Sequence, residues 1–213
     1  MSNSPSASES LFTQNSLSAD PHSDPLARQW DELTAGLRAD PQINRRELLR
    51  IKVLIARQRY AETRRQLQLL QDAQPRPLWQ HWLGLVAQAA GDFESARAWL
   101  LQEQDSLPLF DARARAANAF ALAQLALAQE RLPEAIDCLR SCLLQSRFAS
   151  APDWEGRARQ LLGQISQQRQ KPELARDYYL SARDAFVRSR HETGLAEVNR
   201  LLAGLPGHGL DAC

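Results

Sequence analysis

Residues 77–108 read PLWQHWLGLVAQAAGDFESARAWLLQEQDSLP. Two stretches of helix-forming residues flank Gly91-Asp92. The first opens on Pro77, which suits a first helical position because the missing N–H has no partner there anyway. Gly91 can take the positive φ that ends a helix. Gly84 and Ala96 are small enough for two helices to cross closely, and Leu83, Phe93 and Leu100 fill the space between them. The stretch predicts a helical hairpin.

The pattern recurs outward from there. Pro41, Pro75 and Pro108 lie 34 and 33 residues apart, and Tyr60 and Phe93 each stand 15 residues before the next of these prolines. Such a period is the mark of a repeat architecture. Looser copies follow. One carries Leu122-Ala123, Leu132, Ala135 and Leu139, and the next Leu162-Gly163, Pro172, Ala175, Tyr179 and Ala182. The small residues 96, 135 and 175 are spaced by 39 and 40, so extra residues lengthen the helices or the loops near 109–115 and 146–153. Pro133 and Pro172 fit the first turn of a second helix. In the first copy, Ile51 and Thr63 stand where small residues are usual.

With Trp-Leu-Gly at 82–84, Gly91-Asp92-Phe93, Ala96, Leu100 and Pro108, the chain resembles the tetratricopeptide repeat over residues 41–190. The resemblance implies an all-α fold of helix-turn-helix repeats stacked as a short right-handed α-solenoid. The expected organisation is a disordered Ser-rich tail over 1–23 and a repeat domain over 24–205. Within that domain a capping helix covers 24–38, repeat units cover about 44–75, 77–108, 110–147 and 153–190, and a second capping helix covers 191–205. A flexible tail takes 206–213. Asp24-Pro25 and Asp40-Pro41 both look like helix starts, an N-cap followed by a first-turn proline.

Composition agrees with an all-α chain. Hydrophobic residues make up 44%, glycines number only 9, and good helix formers dominate. The net charge of +1 gives no global field toward nucleic acid or a membrane surface. Arg45, Arg46, Arg50, Arg57, Arg64 and Arg65 make the first unit basic, but no aromatic stacking platform accompanies them, so a nucleic-acid partner is not expected. No apolar run reaches the length of a membrane span, and no signal peptide is visible. Cys138, Cys142 and Cys213 are an odd number without framework spacing, which suits a reducing compartment. The expected location is cytoplasmic.

Catalytic motifs are lacking. No glycine-rich phosphate loop follows a strand, His22, His81, His191 and His208 are scattered, and Cys138 with Cys142 supplies only two ligands for a metal. An enzyme, a cofactor and a small-molecule substrate are therefore not expected. The resemblance implies instead an inner, concave face, built by the first helix of each pair, that holds a partner peptide or helix. Its positions carry over to Leu48, Lys52 and Ile55, then His81, Trp82, Leu85 and Gln88, then Phe120, Gln124 and Leu127, then Arg157, Gln160, Gln164 and Gln167. Trp82 and Phe120 stand out as aromatic anchors or as core residues of their pairs. A clamp for a chaperone's C-terminal carboxylate is not expected, because only Lys52 matches its pattern and Trp82, Ala117 and Ala121 occupy the other polar and basic positions. The expectation is a non-catalytic adaptor, scaffold or chaperone-like module, with self-association as a further mode. The alternative is a regulatory protein of a signalling or transcription system.

Overall fold

The computed structural model describes residues 25–34 and 44–206. They form helices α1 (Pro25–Thr34), α2 (Arg45–Ala56), α3 (Tyr60–Ala73), α4 (Pro77–Ala89), α5 (Phe93–Ser106), α6 (Ala112–Ala128), α7 (Leu132–Phe148), α8 (Pro152–Gln168), α9 (Pro172–Ser189) and α10 (Glu192–Ala203). No strand occurs among the described residues, and no helix there is long and apolar enough to cross a membrane. The fold is all-α and repetitive, as the sequence predicts. The expected tails fall on residues outside those described, save Pro206.

The chain divides into two compact units, residues 1–96 and 97–213, with the division inside α5. In the first unit the helices are short, with 12, 14 and 13 residues in α2, α3 and α4. Every residue of α4 from Trp79 to Ala87 is buried, as expected of a helix that is apolar nearly all round. Trp30, Trp79, Trp82, Ile51, Ile55, Leu67 and Leu83 are among the large buried side chains of this core. Helix α2 begins at Arg45 and is capped by Asn44, whose Oδ1 accepts from the Arg46 N–H at 3.0 Å. The start expected at Asp40-Pro41 is thus corrected for α2; those two residues lie outside the described ones.

The second unit keeps a regular beat. Helices α6 to α10 start at residues 112, 132, 152, 172 and 192. Each of α6, α7 and α8 has 17 residues, followed by a three-residue turn. The extra length of these repeats therefore lies in the helices, not in the loop near 146–153.

One turn chemistry closes the hairpins. Gln58, Gly91, Glu130, Ser150, Gln170 and Arg190 all have positive φ, between 48° and 78°. In each turn the next N–H reaches back five residues, as from Arg131 to the Ala126 carbonyl (2.8 Å), Lys171 to Ser166 (2.9 Å) and His191 to Phe186 (3.0 Å). This is the Schellman closure, which satisfies carbonyls that a helix end leaves open. Only Gly91 takes the left-handed conformation freely. For the others it costs about 1–2 kcal/mol each, which the six-to-one hydrogen bonds and packing must offset.

Close packing in the second unit depends on three glycines. A Cβ on Gly156 would meet the Phe186 ring at 2.6 Å, and one on Gly194 would meet the same ring at 2.8 Å. A Cβ on Gly163 would fall still closer to the Tyr179 ring. Phe186 and Tyr179 share a core with Ala175, Ala182, Val198 and Leu205.

Candidate functional site

In the first unit, the expected inner face is already covered. Lys52 of α2 donates to Asp31 of α1, with Nζ 2.6 Å from Oδ2. The Trp82 ring of α4 packs on Trp30 of α1, with centroids 4.7 Å apart and planes tilted by 60°. His81 sits edge-on to Trp82 and, like Leu85, is buried. Leu48 and Ile55 are buried as well. Helix α1 thus lies over the face that α2 and α4 were expected to offer to a partner. Of the two readings of Trp82, anchor or core, its exposure of 0% favours the core, with the amphipathic helix α1 of the same chain as apolar cover. Among the described residues, the buried Trp82 Nε1–H has no acceptor.

In the second unit, the corresponding face of α6 and α8 is partly open. Phe120 is nearly buried against Trp154, with ring centroids 5.7 Å apart. The Arg157 guanidinium lies over the Trp154 ring, 5.0 Å from its centroid, at a distance suited to cation–π attraction. Its Nη2 is 3.0 Å from His191 Nε2. Gln124, Leu127, Gln160 and Gln164 are half-buried. Gln167 is exposed, and its Oε1 accepts from the Tyr179 hydroxyl at 2.9 Å. Arg113 of α6 grips Asp153 of α8 with two nitrogens, at 3.2 and 2.6 Å, which fixes the two helices beside each other. Trp82 and Phe120 belong to different units, and each is packed within its own.

Sequence reading missed three groups. Trp30 and Asp31 were assigned only to a capping helix. Trp154 precedes Arg157 by three positions, which places the two on one helical face; that spacing was the available signal. The third is an open cavity of about 510 Å³, lined by Leu101 and Leu107 of α5, Arg115 and Asn118 of α6, and Glu134 and Asp137 of α7, among others. At 100° per residue, its α6 positions 115, 118, 119 and 122 point away from 120, 124 and 127. The cavity therefore opens on the side of α6 opposite the expected face. Asn118 is the sequence hint, an amide among the alanines 116, 117, 119 and 121 of α6. It is buried, and its Nδ2 donates to the Leu100 carbonyl at 2.8 Å and to Glu103 Oε2 at 2.7 Å.

The chemistry of that cavity is quiet. Glu134 pairs with Arg97 at 2.7 Å and with Arg131 at 3.0 Å. Burial pushes the Cys138 thiol above its ordinary range, and the charges of Glu134 and Asp137 add to this. Burial pushes the Cys142 thiol up to about 12, with Asp153 contributing. Little thiolate forms at neutral pH under such conditions. Among the described residues, no group of three or more His, Cys, Asp or Glu side chains could hold a metal ion. Compared with known proteins, the chain matches no family model and no curated protein.

Proposed function

We propose that the chain is a non-catalytic protein-interaction module of the tetratricopeptide kind, and that it takes a partner peptide or helix on the face formed by α6 and α8. The carrying observation is the mixed character of that face. Phe120 and Trp154 give an apolar floor, Arg157 a cation over the Trp154 ring, and Gln124, Gln160 and Gln164 half-buried glutamines alongside. Amides of this kind can donate to and accept from an extended backbone, while aromatics supply desolvated anchoring. Their placement on successive first helices is what the resemblance implies for a binding face.

Affinity capture with the full chain tests this reading. The triple variant Gln124→Ala, Gln160→Ala, Gln164→Ala should weaken capture by about tenfold or more, while its circular dichroism stays unchanged. The control Leu109→Ser, Phe110→Ser alters two side chains that are 86% and 90% exposed on the α5–α6 connection, and should leave capture intact. The reverse pattern would sink the assignment. One observation favours a second reading, a regulatory protein of a signalling or transcription system: the 40-residue units of the second half, which resemble repeats of such regulators. The identity of the captured partner separates the two.

A further inference from the structure

We propose that α1 is a resident ligand of the inner face of the first unit, holding it against outside helices that carry the same aromatic–acidic pair. The inference rests on the reading of inner faces as partner surfaces and adds the occupant and its chemistry. Helix α1 meets the first helices of two successive hairpins, α2 through Lys52 and α4 through Trp82. Those are the positions at which a partner helix would be held. The two groups it uses are adjacent in sequence, Trp30 and Asp31. One enters the aromatic floor, and the other reaches a lysine at its rim.

The fit is good in shape but incomplete in polarity. Trp30 is 2% exposed, so its ring is fully seated. The Asp31–Lys52 pair keeps about a third of its side-chain surface in water, with exposures of 40% and 26%, so screening leaves it weak. Trp82 Nε1 and Trp79 Nε1 are buried donors without an acceptor among the described residues. A buried donor left without an acceptor is a standing cost. A competing helix with a tryptophan, a following carboxylate and an acceptor aimed at the Trp82 indole would make every contact that α1 makes and one more. Chain connectivity favours α1 through high effective concentration, so the competitor needs that extra contact to displace it. The partner class is therefore an amphipathic helix with an aromatic–acidic pair, and α1 sets the threshold affinity that it must exceed.

The test uses the full chain and a fluorescent peptide spanning residues 24–37. Anisotropy should show the peptide binding the Trp30→Ala chain about thirtyfold more tightly than wild type, the factor expected when a buried aromatic anchor is vacated. Adding Lys52→Glu to that chain should reduce the gain by about two- to fivefold, the range open to a screened pair, and a peptide carrying Asp31→Lys should recover it. Equal binding to wild type and to the folded variant overturns the proposal. If Trp30→Ala loses the cooperative thermal transition, the chain carrying Asp31→Lys decides: tighter peptide binding than to wild type upholds the proposal, and unchanged binding makes α1 a permanent core element. The capture experiment on Gln124, Gln160 and Gln164 reads a different unit, so either result can fail without the other.

Discussion

The two units solve one packing problem in different ways. In the first, hairpins are short and the core is filled by large rings, with Trp30, Trp79 and Trp82 all at 2% exposure or less. In the second, helices repeat every twenty residues, and glycines make room for the rings of Tyr179 and Phe186. The first unit obtains its apolar contact from side-chain bulk and needs a further helix, α1, to cover it. The second obtains it from close approach of the helices and leaves a half-exposed face. Protein interiors tolerate neither voids nor overlap, so the sensitive substitutions differ between the units: truncation in one, enlargement in the other.

Trp82→Ala should produce the largest loss, about 3–5 kcal/mol, because it empties a fully enclosed ring site. Thermal unfolding measures it. A loss below about 1 kcal/mol would mean that the aromatic core of the first unit can collapse, and the contrast between the units would blur. Next comes Gly163→Val, which should cost about 3 kcal/mol by driving a branched side chain into the Tyr179 ring, a fall in Tm of about 6–12 °C. Gly204→Ala is the matched control: its added Cβ would find nothing nearer than 3.6 Å, and the change should stay within about 0.5 kcal/mol.

Tyr179→Phe should cost about 1 kcal/mol at neutral pH, through the hydroxyl bonded to Gln167. It also carries a pH signature. Burial, with Glu197 adding to it, pushes the Tyr179 phenol up to about 12, from an ordinary value of 10. The unfolded chain then gives up this proton at lower pH than the folded one. The stabilising contribution is therefore complete below pH 10 and is lost as pH rises toward 12. Denaturant titrations across that window should show a shallower decline for Tyr179→Phe than for wild type. Identical slopes would show that the phenol titrates alike in both states.

The smallest effects concern the turns. Gly91→Ala should destabilise by about 1 kcal/mol, since alanine resists the φ of 78° there. Gln170→Gly should do the opposite and stabilise by about 0.5 kcal/mol, because relief of left-handed strain exceeds the added chain entropy. If both lose stability, side chains at these turns make contacts that matter more than backbone strain.

Much of this organisation could be read before any coordinates. The 77–108 stretch places a turn at Gly91, and Pro133 and Pro172 fall in the first turns of α7 and α9. Ala135, Ala175 and Ala182 are fully buried, as small residues at helix crossings should be. The turns at Glu130, Ser150, Gln170 and Arg190 were harder to place, because none carries a glycine and a polar residue in left-handed backbone leaves no compositional trace. The candidate face was legible as a set of positions, with Phe120, Gln124, Arg157, Gln160 and Gln164 on consecutive first helices. Its state of cover was not.

Periodicity is a local property. A proline at a helix start, a small residue every forty positions and a wealth of helix formers act within one or two turns of backbone, so they could be read along the chain alone. That was enough for an all-α repeat and for most of its hairpins. Occupancy of a face depends on pairs of residues far apart in sequence. Trp30 meets Trp82 across 52 positions and Asp31 meets Lys52 across 21. Nothing in the ten residues PLARQWDELT indicates whether their apolar stripe faces solvent, a partner or the chain's own groove. Only the folded chain settles that, because burial of a ring is a property of what surrounds it and not of the ring.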